Sequence, residues 1–241
     1  MRLIIKENCE EMSKAAAAIV RSQLVLNPSC VLGCATGGTP LGMYRELAEA
    51  YRKGELDFSE TCFFNLDEYC GLDPENDQSY AYYMKENFFR RINARPEHIH
   101  IPNGMAPDAD AECRAYDESI SLHGGIDLQI LGIGVNGHIG FNEPAGHFCP
   151  ETHKVTLDAC TIEANARYFA SREEVPTEAI TMGIRSILHS RMLLLLASGE
   201  NKAEAVFGAV RGPIRPELPA SILQLHPDVI VVADQAAARL L

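Results

Sequence analysis

The segment of the chain with the densest set of reactive side chains is residues 131–144, LGIGVNGHIGFNEP. It combines four glycines with Asn136, His138 and Glu143, and it follows the apolar run at residues 126–131. Histidine exchanges protons near neutral pH, and a nearby carboxylate can orient it and tune its proton affinity. Because α/β proteins place ligands in loops that follow buried strands, this segment predicts an acid–base site at a strand end.

A second candidate is the acid pair Asp67 and Glu68, which follows the apolar run TCFFNL at residues 61–66. Aspartate is a poor strand former, and acids at the carboxyl end of a parallel strand face the ligand edge of the sheet. We therefore expect these carboxylates near the same site as His138. A structural interpretation, in which they cap a helix or lie in a loop, is equally compatible with the sequence.

A third candidate is the turn CATGGTP at residues 34–40, which joins a strand to a helix. Its phosphate-binding candidates are Thr36, Gly37, Gly38 and Thr39. Free N–H groups at a helix N-terminus and small residues can cradle a phosphate, although the pattern also fits a tight turn. Thr39 is predicted to cap the helix, with Pro40 at its first position. No Gly-Lys-Ser/Thr follows, so this is not a Walker loop.

Two cations are candidates for the same ligand. Arg167 lies in NARYF at residues 165–169, and Lys202 lies near a predicted helix start, where a positive charge opposes the helix macrodipole and favours an anionic partner. Taken singly, each is more typical of a solvated surface charge. The other seven histidines show no metal-ligand spacing and the eight cysteines contain no C-x-x-C pair, so we expect reduced thiols and no metal site.

Residues 132–137 also satisfy G-x-G-x-x-G after a strand, and Asp158 follows at a distance that imitates a dinucleotide-binding fingerprint. That fingerprint requires a helix to begin at once. Gly140 and Pro144, with further breakers downstream, interrupt any such helix. The sequence therefore argues against nicotinamide binding.

Apolar runs alternate with amphipathic segments along the chain, which predicts an α/β protein with a doubly wound, mostly parallel sheet and helices on both faces. We expect a Rossmann-like, three-layer fold in one domain over residues 1–241. The formal net charge of −12 argues against nucleic acid as a partner. The longest apolar run, residues 192–197, is far short of a membrane span, and no signal peptide is recognisable, so a cytoplasmic protein is expected.

Together, these motifs resemble those of the glucosamine-6-phosphate deaminase family. The resemblance covers nearly the whole chain in the family's order and spacing, and its most specific part is HIGFNEP at residues 138–144. The matching segments are 35–40, 64–69, 134–144, 165–167, 199–202 and 221–226.

The resemblance implies an enzyme of amino-sugar catabolism that converts D-glucosamine 6-phosphate and water to D-fructose 6-phosphate and ammonia, with no cofactor. It implies that Asp67 is the base at the second carbon and that His138 and Glu143 open the sugar ring. The phosphate would be held by residues 36–39 with Arg167 and Lys202. Many members have aspartate where this chain has Asn136, which can only position its neighbours by hydrogen bonding.

The resemblance also bears on assembly and regulation. Larger members are hexamers activated by N-acetylglucosamine 6-phosphate and have C-terminal residues that this sequence lacks. Gly146, His153 and Val155 stand at the family's effector positions. We therefore expect a short, non-allosteric enzyme, a monomer or small homo-oligomer, with a lid around residues 158–185.

Three alternatives stay open from sequence. A 6-phosphogluconolactonase-like hydrolase would share the fold, the phosphate loop and the glycine-rich turn. A deaminase of another amino-sugar phosphate, such as the galactosamine epimer, would share the residues as well. A sugar-phosphate sensor without catalysis is disfavoured, because Asp67, His138 and Glu143 are all present.

Overall fold

The computed structural model describes residues 1–241, apart from the side chain of Tyr168. Over these residues the strands are β1 (Arg2–Lys6), β2 (Val31–Cys34), β3 (Cys62–Asn65), β4 (Asp67–Tyr69), β5 (Ile99–His100), β6 (Leu128–Gly132), β7 (His153–Thr156), β8 (Glu178–Thr181), β9 (Met192–Ala197) and β10 (Val229–Asp234). The α-helices are α1 (Cys9–Leu26), α2 (Leu41–Arg52), α3 (Tyr80–Asn87), α4 (Ala109–Leu122), α5 (Ala159–Asn165), α6 (Ile184–Leu188) and α7 (Ala203–Arg211). None of the described helices is long and apolar enough to cross a membrane.

The central sheet has seven strands in the order β1-β10-β9-β6-β2-β3-β5, and every neighbouring pair is parallel. Leu193–Leu196 in β9 are fully buried because helices cover both faces of the sheet. Successive side chains of a strand point to opposite faces. Accordingly, Phe63 packs on Phe88 after α3, whereas Phe64 packs on Tyr116 of α4. The predicted doubly wound, parallel α/β fold is confirmed.

A smaller antiparallel sheet, in the order β4-β8-β7, was not expected from sequence. Its first strand contains only Asp-Glu-Tyr, a polar triplet without the alternation that predicts a strand. Asp67 pairs with Thr181 of β8, and the N–H of Met182 donates to the carbonyl of Leu66 at 2.7 Å. The chain thus passes from the central sheet to the small one through Leu66 alone, and Asp67 begins the second sheet.

The neighbouring strands β2 and β6 mark the point where the chain's winding reverses direction across the central sheet. Loops that leave the carboxyl ends of two such strands diverge and open a crevice for a ligand. Here the two loops are the turn at residues 35–40 and the glycine-rich loop after Gly132. The fold therefore brings the first and third sequence candidates to one edge.

The prediction that Thr39 caps α2 is wrong. The helix begins at Leu41, the residue before it is Pro40 in helical conformation (φ −79°, ψ −9°), and no side chain caps it. A capping threonine needs an extended backbone, but residues 38–40 form a turn that runs directly into the helix. The hydroxyl of Thr39 is therefore not committed to the helix end.

Candidate active site

A cavity of about 490 Å³ opens at the carboxyl edge of the central sheet. Its wall includes the turn at residues 36–39, Asp67, His138, Arg167 and Lys202. The separate segments singled out from sequence therefore converge on one cavity, as predicted. The cavity is large enough for a phosphorylated sugar, because small-molecule pockets are commonly a few hundred cubic ångströms.

Asp67 is 4% exposed, and its carboxyl group has no hydrogen bond to any residue that the structure describes. Burial, and secondarily the charge of Glu68, raises the pKa of Asp67 well above its usual value. Gly140 lies against it with φ +57°, and a Cβ there would lie 3.3 Å from Oδ2 of Asp67 and 2.9 Å from Oγ1 of Thr181. A largely buried carboxylate that lines a cavity without a hydrogen bond of its own is suited to accept a proton from a bound ligand.

The neighbouring acid, Glu68, has a structural role instead. Its carboxylate accepts the backbone N–H groups of Tyr69, Tyr80 and Ala81 at 2.9, 2.8 and 2.7 Å. Burial raises the pKa of Glu68, and these three N–H groups oppose that rise. Each of the two interpretations of the acid pair therefore fits one residue. The structural interpretation fits Glu68, which anchors the start of α3, whereas Asp67 faces the cavity.

His138 is paired with Glu143, whose Oε2 lies 3.3 Å from its Nδ1. The hydroxyl of Thr161 in α5 donates to Oε1 of Glu143 at 2.5 Å and lies 3.4 Å from Nδ1 of His138. Burial alone would raise the pKa of Glu143, but His138, Thr161 and Asn136 outweigh it, so the pKa is lowered. The ionised glutamate therefore orients the imidazole, as the sequence suggested.

Asn136 ties this pair to the loop backbone. Its Nδ2 donates to Oε2 of Glu143 at 2.9 Å, and its Oδ1 accepts the backbone N–H of His138 at 3.2 Å. Gly134 leaves the space that the imidazole occupies, because a Cβ there would lie 2.5 Å from two ring atoms. These contacts place Asn136 where it could position the pair by hydrogen bonding, and its role stays a prediction.

The cavity wall also contains two cationic residues, Arg167 and Lys202. Lys202 ends a short 3₁₀ turn, Glu200–Lys202, just before α7, and Arg167 lies in the 3₁₀ turn after α5. Burial, and then the nearby charge of Arg167, lowers the pKa of Lys202. An anion between the two cations would relieve this repulsion. The N-terminus of α2, reached through residues 36–39, adds uncapped N–H groups to the same cavity.

Several polar residues of the site were not singled out from sequence. Thr161 is one. Others are hydroxyl and amide groups of the cavity wall: Tyr80 donates to the hydroxyl of Tyr69 at 3.4 Å, Tyr83 donates to the carbonyl of Gly37 at 2.6 Å, and Asn165 donates to the hydroxyl of Tyr69 at 2.8 Å. Asn165 lay in a matching motif, NAR at residues 165–167. Tyr69 likewise ended the matching segment at residues 64–69. Tyr80 and Tyr83 lay in no motif, because their contacts depend on how α3 packs.

No helix directly follows the glycine-rich sequence that imitates a dinucleotide-binding fingerprint. After Gly132 the next helix is α5, which begins at Ala159 and is capped by Asp158, whose carboxylate accepts the N–H of Cys160 at 2.8 Å. The carboxylate of Asp158 therefore caps α5 and is not placed to bind a ribose. This agrees with the argument against nicotinamide binding.

The carboxyl edge of the parallel sheet presents a largely buried carboxylate, a histidine–glutamate pair and two cations beside a helix N-terminus. This arrangement defines an α/β enzyme that performs acid–base chemistry on a small anion. The particular family follows from comparison with known proteins. Residues 4–231 match the family described as glucosamine-6-phosphate isomerases/6-phosphogluconolactonase, and the chain belongs to this family.

Curated relatives and solved structures agree. The chain is 56% identical over 238 residues to a glucosamine-6-phosphate deaminase of Clostridium botulinum (strain Loch Maree / Type A3), covering 99% of this chain and 98% of the relative. It is 56% identical over 241 residues to that of Halothermothrix orenii, covering both chains fully. A structure described as a monomeric glucosamine-6-phosphate deaminase superposes with a TM-score of 0.98 at 47% identity, covering all of both chains.

A 6-phosphogluconolactonase from Thermotoga maritima has a TM-score of 0.75 at 19% identity, covering 97% of this chain and 99% of that one, and shows the shared fold alone. The resemblance inferred from sequence is thus confirmed, and with it the prediction of a deaminase.

Proposed function

We propose that the chain converts D-glucosamine 6-phosphate and water to D-fructose 6-phosphate and ammonia. The observation that carries this proposal is the placement of Asp67, largely buried and without a hydrogen bond, in the same cavity as His138 and the cations Arg167 and Lys202. The deaminases at 56% full-length identity support the same substrate. Such a cavity serves a substrate that carries an anion at one end and exchanges protons at the other.

Binding begins at the phosphate. The N–H groups at residues 36–39, Arg167 and Lys202 hold its oxygens, and charge-assisted hydrogen bonds of this kind fix orientation as well as affinity. Residues 158–185, which supply Thr161 and Arg167, act as the lid over the bound sugar. Holding the phosphate sets the register of the carbon chain and brings C1 and C2 to the acid–base groups.

Ring opening follows. The hemiacetal must lose the proton of its C1 hydroxyl and gain one on the ring oxygen as the C1–O5 bond breaks. His138 carries out this exchange because imidazole can accept and return a proton near neutral pH. Glu143 holds the ring by its Nδ1, and Thr161 and Asn136 hold Glu143.

Isomerisation then takes place at C2, whose proton is acidified by the neighbouring aldehyde. Asp67 removes this proton, and the electron pair forms a C1–C2 double bond while the aldehyde oxygen takes a proton from the substrate's ammonium group, which gives an enol at C1 and a neutral amine at C2. Return of a proton to C1 gives an imine at C2. Water adds to that imine, and the C–N bond breaks to release ammonia and leave the ketone of fructose 6-phosphate.

The chain works as a monomer without activation by N-acetylglucosamine 6-phosphate. The structural neighbour at 47% identity is described as monomeric, which supports this state. Gly146, His153 and Val155 replace the residues that the family uses for its effector. Sedimentation should therefore give the mass of one chain, 26.5 kDa. Rate against substrate concentration should be hyperbolic and unchanged by that effector.

The test of the reaction is ammonia release from glucosamine 6-phosphate by the purified protein, followed by a coupled assay. Asp67→Asn should lower kcat by about a hundred- to ten-thousandfold, the range of general acid–base catalysis. It should leave the affinity for fructose 6-phosphate close to wild type, since the phosphate contacts persist. Hydrolysis of 6-phosphogluconolactone without ammonia release would favour the lactonase alternative, and full activity of the variant would remove Asp67 as the base.

A further inference from the structure

Cys62, His100 and His123 form a cluster outside the active-site cavity. They come from the start of β3, from β5 and from the residue that follows α4. The cysteine sulfur and one nitrogen of each histidine all lie within 4.8 Å of one another. Cys62 is buried and His123 is exposed, so the cluster reaches from the core to solvent. Nothing in the sequence spacing of these residues indicates a metal site.

The fold explains why these three residues meet. Phe64 of β3 pairs with His100 of β5 in parallel register, so the two side chains share a sheet face, and their rings stack at 4.4 Å. Cys62 precedes Phe64 by two residues and therefore points to the same face. Helix α4 covers that face and ends there, which brings the ring of His123 within 4.8 Å of that of His100.

Each of the two histidines has a ring nitrogen whose lone pair is available to a cation. Nδ1 of His123 lies 2.8 Å from the carbonyl of Ser119, so the N–H on that nitrogen donates to the backbone and leaves Nε2 with a free lone pair. Metal-bound histidines are commonly held in this way by a backbone carbonyl. Nε2 of His100 is buried and has no hydrogen-bond partner in the described part of the chain. A buried ring nitrogen without a partner is unfavourable, and a metal ion would satisfy it.

We propose that Cys62, His100 and His123 bind a divalent transition-metal ion, with Zn²⁺ as the chemical match, and leave a fourth position for water. One thiolate and two imidazoles are ligands that Zn²⁺ accepts. Zinc bonds of about 2.0–2.3 Å to nitrogen and sulfur place tetrahedral ligands roughly 3.5 Å apart, so the donors must draw in by about 1 Å. Zinc binds cysteine as the thiolate, so binding of the ion releases the thiol proton.

The ion would join β3 and β5, at the edge of the central sheet, to the end of α4. Its effect is therefore on stability. The catalytic cavity is lined by other residues, and the proposed reaction takes place without the ion. An ion that binds only the folded chain raises the melting temperature by mass action.

The experiment uses the full chain after chelation and dialysis. Zn²⁺ is titrated by calorimetry with a competing chelator, and Co²⁺ serves as a spectroscopic probe, because a cobalt–thiolate bond gives a charge-transfer band. The variants are Cys62→Ser, His100→Asn and His123→Asn. His189→Asn is the matched control, because His189 is also an exposed residue that follows a helix.

We expect wild type and H189N to bind one Zn²⁺ per chain and to melt at a higher temperature with it. H100N and H123N should bind at least about a hundredfold more weakly, beyond the 10–100-fold effect of losing a second-shell partner. C62S should lose the cobalt charge-transfer band. Because His123 is exposed, H123N tests the site even if C62S fails to fold. Wild-type affinity in H100N and H123N, or the absence of stoichiometric binding by wild type, would overturn the proposal.

Discussion

Gly134→Ala tests whether the position of His138 governs catalysis. A Cβ at residue 134 would lie 2.5 Å from Cε1 and Nδ1 of the imidazole, whereas non-bonded carbon atoms prefer about 3.5–4.0 Å. The ring must therefore move by about 1 Å. The gap between Nδ1 of His138 and Oε2 of Glu143 is already 3.3 Å, so a movement of that size breaks the pairing.

The expected loss follows from this displacement. A misplacement of about 1 Å in a catalytic group lowers the rate by roughly a hundredfold, which corresponds to about 2.7 kcal/mol of transition-state stabilisation. The fold should survive, because Gly134 is not among the glycines with positive φ and its backbone is accessible to alanine. The loss should appear in kcat, with the inhibition constant of fructose 6-phosphate nearly unchanged, since the cationic end of the cavity is untouched.

The assay is ammonia release over a range of glucosamine 6-phosphate concentrations, with thermal melting alongside. Gly146→Ala is the matched control: it lies in the same loop, and a Cβ there meets no described atom within 4 Å. It should retain wild-type kcat. A wild-type kcat in G134A would refute the dependence on imidazole position, and a fall in kcat matched by a fall in melting temperature would assign the loss to folding.

Two further variants probe the charges of the site. Burial raises the pKa of Asp67, so between its unfolded value of about 3.9 and its folded value the native chain binds more protons, and its stability falls as pH rises. Asp67→Asn should therefore melt increasingly above wild type as pH rises above about 4 toward the folded-state pKa of Asp67, as measured by scanning fluorimetry; a constant difference would contradict the burial argument. Lys202→Gln should raise KM by about ten- to a hundredfold, since a hydrogen bond to a charged group contributes about 1.5–3 kcal/mol. Lys154→Gln, which removes an exposed amine paired with Glu178 at 3.0 Å, is its control and should leave KM unchanged.

Sequence predicted the parts of this molecule that depend on local pattern. Wholly apolar runs such as residues 192–197 are typical of strands covered on both faces, and they form the middle of the sheet. Loops that follow such strands must emerge at one edge, which is why residues 36–39, Asp67 and His138 could be expected to meet. The acids could not be assigned individually, because whether Glu68 turns back to the start of α3 depends on where that helix packs.

The features that escaped prediction depend on contacts between distant elements. The small sheet pairs β4 with β8, more than a hundred residues later, and a polar triplet contains no sign of that partner. Thr161 reaches Glu143 only because α5 packs against the glycine-rich loop, a contact that no local pattern indicates. Cys62, His100 and His123 lie in separate elements, and the register of β3 with β5 together with the packing of α4 brings them to one place.

The small sheet has a mechanical consequence. The proposed base Asp67 belongs to β4, and α5, with Thr161, is the connection between the other two strands of that sheet, β7 and β8. The phosphate turn at residues 36–39 instead follows β2 of the central sheet. A tilt of the small sheet would therefore carry the base together with Thr161 and Arg167, which both lie in the β7–β8 connection. Residues 36–39 and Lys202, which follow strands of the central sheet, would stay in place.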